Sequence, residues 1–145
     1  MTKTTKLTLI FFILLNFINF ALAENTFYME GKKKFELKNY EESKFLFQRS
    51  IVFDPKDYNS YLYLAKIYSI EENKIEEEKN VNTALLLKPN NEEANYLLME
   101  IEIKKSNYTK VRELAENFSN ICKKLCNKKN LILESLKNLE PKDES

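Results

Sequence analysis

Two cysteines, Cys122 and Cys126, carry the most versatile chemistry in this sequence, and they lie four residues apart. On a helix that spacing puts both on or beside an apolar face that runs Val111, Leu114, Ala115, Phe118, Cys122 and Leu125. Three readings are open. The thiols can be buried as small apolar groups; they can form a disulfide if the chain is exported to an oxidising compartment; or they can be a thiol-active or metal-carrying pair. A regular helix aims the Cβ vectors poorly for a bridge, although a frayed end near residues 127–130 would relieve this. The metal reading lacks both Cys-x-x-Cys spacing and histidine, of which the chain has none.

The missing histidine also removes the commonest general base near neutral pH and the commonest zinc ligand. A single glycine leaves nothing for a phosphate-binding loop. The carboxylate runs Glu41-Glu42 and Glu76-Glu77-Glu78 read as solvated helix faces. No catalytic residue, cofactor or metal site is therefore expected, and the chain reads as a non-enzyme. Asn107-Tyr108-Thr109 and Asn117-Phe118-Ser119 fit the glycosylation acceptor pattern, which chance explains in so asparagine-rich a chain.

The elements that would position these residues are helical. One glycine and three prolines in 145 residues, against abundant Lys, Glu, Leu and Asn, point to helix throughout. Basic residues number 23 and acidic residues 22, so the whole chain has no electrostatic pull toward nucleic acid or anionic membrane.

Residues 1–23 begin with Lys3 and Lys6, continue through an apolar run from Leu7 to Leu15, and close on Ala21-Leu22-Ala23. That order is the pattern of a cleaved signal peptide. Asn16 and Asn19 interrupt the apolar run, which disfavours a retained membrane span. The expected product is exported, periplasmic or secreted, with no stable membrane insertion after cleavage. It would retain 21 basic and 22 acidic residues.

Beyond Ala23 the sequence repeats itself every 34 residues. Asn39, Asn73 and Asn107 share that spacing, as do Pro55 and Pro89, Phe27 and Tyr61, Lys32 and Lys66, and Tyr28, Leu62 and Tyr96. Within each period two bursts of apolar residues at helical spacing meet near the asparagine and end near the proline, which predicts two helices per unit. The second unit carries Tyr61, Leu64-Ala65, Tyr68, Glu77, Val81, Ala84 and Pro89. The first shows Phe27, Gly31, Ser43, Phe47, Ser50 and Pro55, and the third keeps Leu98, Ala115 and Phe118 but has Lys123 in place of the proline.

These residues resemble the tetratricopeptide repeat (TPR). The resemblance implies an all-α fold of antiparallel helical hairpins stacked as a short solenoid. Its units would be residues 24–57, 58–91 and 92–125, the third degenerate, followed by a capping helix and loose tail over 126–145. It also implies a concave groove lined by the first helix of each hairpin. Carried over by register, the groove residues are Tyr28, Lys32 and Phe35, then Leu62, Tyr63, Lys66 and Ser69, then Tyr96, Glu100 and Ile103. Tyr28 and Tyr96 also have the alternative of packing within their own hairpins. The implied function is protein interaction: an adaptor or assembly factor holding a peptide or helix of a partner protein. Two other readings stand beside it, a thiol-active or metal-carrying protein using Cys122 and Cys126, and a subunit that self-associates end to end.

Overall fold

The asparagines that recur every 34 residues are helix starts. In a computed structural model, which describes residues 26–139, every regular element among those residues is an α-helix. Seven follow in order: α1 (26–36), α2 (Tyr40–Phe53), α3 (Tyr58–Ile70), α4 (Lys74–Leu87), α5 (Glu92–Lys104), α6 (Tyr108–Ile121) and α7 (Cys126–Leu139). The segment expected to be a signal peptide, residues 1–23, lies outside the described residues, as does the tail expected at 141–145. Among the described residues no helix is long and apolar enough to cross a membrane.

The caps explain where each helix begins. Asn39 accepts from the Glu42 N–H and Asn73 from the Glu76 N–H, while Asp57 and Asn91 cap α3 and α5 in the same way. Each satisfies one of the orphan amides of a first turn. Inside each hairpin the chain reverses through a left-handed residue, Lys38, Glu72 or Ser106, with φ of 58°, 57° and 58°. The next N–H, that of Asn39, Asn73 or Asn107, donates back to the carbonyl of Lys34, Tyr68 or Glu102, each at 2.9 Å. This is a Schellman-type closure in which a non-glycine residue takes the left-handed position. Between hairpins, Asp54 is extended (φ −127°, ψ 93°) and Lys88 (φ −141°, ψ 82°) is also outside the helical region, which the following prolines disfavour.

Packing follows from residue size. Gly31 lies against Phe47 so closely that a Cβ there would sit 3.0 Å from the ring. The Ser43 hydroxyl, also buried, donates to the Gly31 carbonyl at 2.8 Å. Phe47 reaches across to Leu64 and Ile67 of α3, joining the first hairpin to the second. Leu62, Ala84 and Ala94 join α3, α4 and α5. Met99, Val111, Ala115 and Phe118 close over Ile132 and Leu136 of α7, so α7 covers the apolar end of the third hairpin.

One expectation is overturned here. Glu77 is not on a solvated face: it is 4% exposed, and Glu102 on α5 is 7% exposed. Lys104 reaches Glu77 at 3.2 Å, and Lys105 and the Asn107 amide reach Glu102 at 3.2 and 2.7 Å. Helix packing buries these carboxylates where the first turn of α4 meets the last turn of α5, and the lysines at the end of α5 supply the partners that burial demands.

Candidate partner-binding groove

Three sequence-expected groove residues form one aromatic cluster. Tyr63 of α3 stacks on Phe47 with ring centroids 4.8 Å apart, and it takes Phe35 and Tyr28 of α1 edge-on at 5.2 and 6.1 Å. Tyr28 also leans on Phe47 at 6.0 Å, and Phe35 on Tyr40 at 5.5 Å. Phe47 is fully buried, and Tyr28, Phe35 and Tyr63 around it are half-buried. Burial, followed by neighbouring Tyr63 and Asp57, pushes the Tyr28 phenol up to about 12. Burial raises Tyr63 too, helped by Glu93 and Glu36.

The polar groove residues are less free than their spacing suggests. Lys66 is paired with Glu93 at 2.7 Å and lies 4.4 Å from the Tyr63 ring centroid. Tyr96 donates its hydroxyl to Glu100 at 2.6 Å, and Lys128 of α7 sits 4.9 Å from the same ring. Burial, then that hydrogen bond, raises the Tyr96 phenol to about 12. Lys32 and Ser69 are half-buried, and Ile103 packs partly into the α5–α6–α7 core.

Leu62 does not belong to the groove. It is 4% exposed, held against Ala84 and Ala94, and offers no surface to a partner. Neighbours on a helix point about 100° apart, so Leu62 and Tyr63 do not share a face. Sequence reasoning missed Glu93 and Lys128, which the 34-residue register did not flag because no equivalent charge occupies those positions in the other units.

The cysteines are placed differently from the single helix expected for them. α6 ends at Ile121, Cys122 is extended (φ −68°, ψ 141°), and Cys126 is the first residue of α7. The two are joined in a disulfide with Cα atoms 5.2 Å apart, leaving no free cysteine. The bridge spans an interhelical turn, so helix geometry places no obstacle to it. It also consumes both thiolates that a metal-carrying or thiol-active role would need. The Glu92 carboxylate clasps the same turn, accepting from the Lys124 and Leu125 N–H groups at 2.9 and 2.8 Å. Hydrogen bonds from the backbone of Leu125, Lys123 and Lys124 hold its pKa below the usual carboxylate range. Among the described residues no three His, Cys, Asp or Glu side chains converge as a metal site.

No protein-family profile and no curated protein sequence matches the chain. Solved structures do match it. The TPR2B domain of yeast Sti1, in a pHsp70 complex, superposes with a TM-score of 0.72 at 15% identity, covering 82% of this chain and 99% of that one. The Arabidopsis OM64 TPR domain gives 0.70 at 12% identity, over 80% and 95%. The second TPR domain of human RPAP3, in complex with the HSP70 peptide SGPTIEEVD, gives 0.69 at 17% identity, over 81% and 98%. The chain thus has the TPR fold: all-α hairpins stacked as a short solenoid, with α1, α3 and α5 as the first helices of successive hairpins.

Proposed function

We propose that this protein is an interaction module that holds a peptide or helix of a partner protein against the inner faces of α1, α3 and α5, and that it acts by binding rather than by catalysis. The observation that carries this reading is the half-buried aromatic cluster of Tyr28, Phe35 and Tyr63 across α1 and α3. Rigid aromatics that are already packed on one side offer contact area at little further cost in side-chain entropy. Among the structural neighbours, yeast Sti1 is seen with pHsp70, human RPAP3 with an HSP70 peptide and the first TPR of Spaghetti (RPAP3) with an HSP90 peptide, which supports the same use of this fold.

The setting proposed for this adaptor is an exported one. The Lys3, Lys6, apolar run and Ala21-Leu22-Ala23 pattern supports it, and the Cys122–Cys126 disulfide suits an oxidising compartment. Fusing residues 1–40 to a phosphatase that is active only after export tests this, and a fusion that remains inactive and cytosolic removes it.

A photo-crosslinking residue at position 32, in the groove, and another at exposed Leu86, on α4, test the binding surface. The groove reading expects one discrete partner captured from position 32, absent from position 86, and lost on Tyr63→Leu. Equal capture from both positions would overturn it.

A further inference from the structure

One edge of the solenoid carries a charge imbalance that the near-neutral whole chain conceals, and it stands apart from the groove. The joints between hairpins, 54–57, 88–91 and 122–125, meet along this edge. Lys88 donates to the Tyr58 hydroxyl at 2.8 Å, which ties the second joint to the start of α3 and so to the first. Glu92 accepts from the Lys124 and Leu125 N–H groups, which ties the third joint to the second, and Lys88 and Lys124 line one recess there.

The lysines of this edge are unpaired. Lys56, Lys88, Lys123, Lys124 and Lys129 form no ion pair among the described residues. At the opposite edge, where the hairpins turn, lysines are partnered, as in Lys44–Glu71, Lys104–Glu77 and Lys105–Glu78. The carboxylates of the joint edge serve its own backbone and hydroxyls: Asp54 accepts from the Lys56 N–H, Asp57 from the Asn59 N–H and two serines, and Glu92 from the third joint. With the Lys66–Glu93 pair set aside, five ammonium groups stand against three carboxylates, and residues 117–133 include no acidic side chain at all.

Apolar side chains accompany them. Val52 and Leu86, 34 residues apart, lie in the last turns of α2 and α4 beside the first two joints and are 76% and 82% exposed. Flexible ammonium groups spread along a row, with bare apolar side chains next to them, suit a fluid layer of phosphates over hydrocarbon better than a ligand of fixed shape. We propose that this edge seats the protein on an anionic phospholipid surface, its lysines meeting the headgroup phosphates while Val52 and Leu86 enter the boundary beneath them.

Amine acetylation of the full chain, read lysine by lysine by mass spectrometry, tests this with phosphatidylcholine vesicles that contain or lack phosphatidylglycerol. With phosphatidylglycerol, Lys88, Lys123 and Lys124 should react about fivefold more slowly, while Lys38 and Lys74 at the hairpin turns keep their rates. High salt should remove the protection. In Lys123→Gln/Lys124→Gln the protection of Lys88 should disappear, and Val52→Ser/Leu86→Ser should weaken it. The apolar run from Leu7 to Leu15 suits any vesicle, so the contrast between the edges decides. No protection, equal protection at both edges, or the same protection by phosphatidylcholine alone overturns the proposal. If soluble polyaspartate shields the same lysines as well as the vesicles do, and Val52→Ser/Leu86→Ser has no effect, the edge belongs to an acidic protein and the lipid assignment is wrong.

Discussion

The joints α4–α5 and α6–α7 both take the chain out of a helix, but by different means. At the first, Pro89 keeps Lys88 out of the helical region, and Asn91 then caps the next helix. At the second, Lys123 stands where the proline would fall, and Cys122 is nevertheless extended. There the Cys122–Cys126 bridge and the Glu92 carboxylate hold the turn instead. The two differ in what they depend on. A proline restricts the backbone under every condition, whereas a disulfide does so only where thiols stay oxidised. The array is therefore permanently closed at its centre and conditionally closed at its C-terminal end.

The largest test of that contrast removes an equally buried ring from each end. Phe47 is 0% and Phe118 1% exposed, so Phe47→Ala and Phe118→Ala should each cost about 3–5 kcal/mol. Their consequences should differ: Phe47→Ala disturbs the Tyr63 stack and with it the binding proposed there, whereas Phe118→Ala frees α7 and spares α1 to α3. Hydrogen exchange resolved by helix would show this, and uniform loss of protection in both variants would contradict a divided array.

Next in size is the bridge itself. Reduction, or Cys122→Ser/Cys126→Ser, should lower stability by about 2 kcal/mol, with the loss concentrated in α7. Pro55→Ala and Pro89→Ala should each cost only about 0.4–1 kcal/mol, through the unfolded chain. Urea titrations with and without reductant compare the two; a reduced protein that keeps full α7 protection would show that Glu92 and the Ile132–Leu136 contacts suffice alone.

Alkaline pH separates the ends less sharply, because each holds a tyrosine raised to about 12, Tyr28 and Tyr96. With folded values above the ordinary 10, the neutral phenols contribute stability that is complete below pH 10. That contribution is lost as pH rises toward 12, because the unfolded chain ionises first. Ultraviolet titration should find both among the last tyrosines to ionise; if all eight ionise together near 10, the packing described for them is wrong. The smallest effect belongs to the left-handed turns, where Ser106→Gly should raise the melting midpoint by the equivalent of up to about 1 kcal/mol. A fall in midpoint would show that Ser106 makes a compensating contact.

The all-α TPR architecture was legible because the 34-residue period is physical: Asn39 and Asn73 cap helices, Pro55 and Pro89 end them, and Gly31 and Ala65 allow close approach. The hairpin turns were not legible, since Lys38, Glu72 and Ser106 take a conformation that glycine would have announced. Lys123 gives no stop signal, so the end of α6 was invisible and the cysteines were read onto one helix. Buried Glu77 depends on Lys104, 27 residues away, which meets it only after folding. Of the residues read onto the first helices, Tyr28, Phe35 and Tyr63 meet in one aromatic cluster, whereas Leu62 turns inward because one residue along a helix changes the face.

The aromatic cluster also gives the protein an optical signature of its own. With eight tyrosines and no tryptophan, the chain's near-ultraviolet emission comes from phenol rings, six of them on α1, α3 and α5, Tyr28, Tyr63 and Tyr96 among them. A partner segment carrying a single tryptophan would draw excitation from those rings as it docked. Occupancy could then be followed as energy transfer, with no label on either molecule and no substitution in the surface being measured.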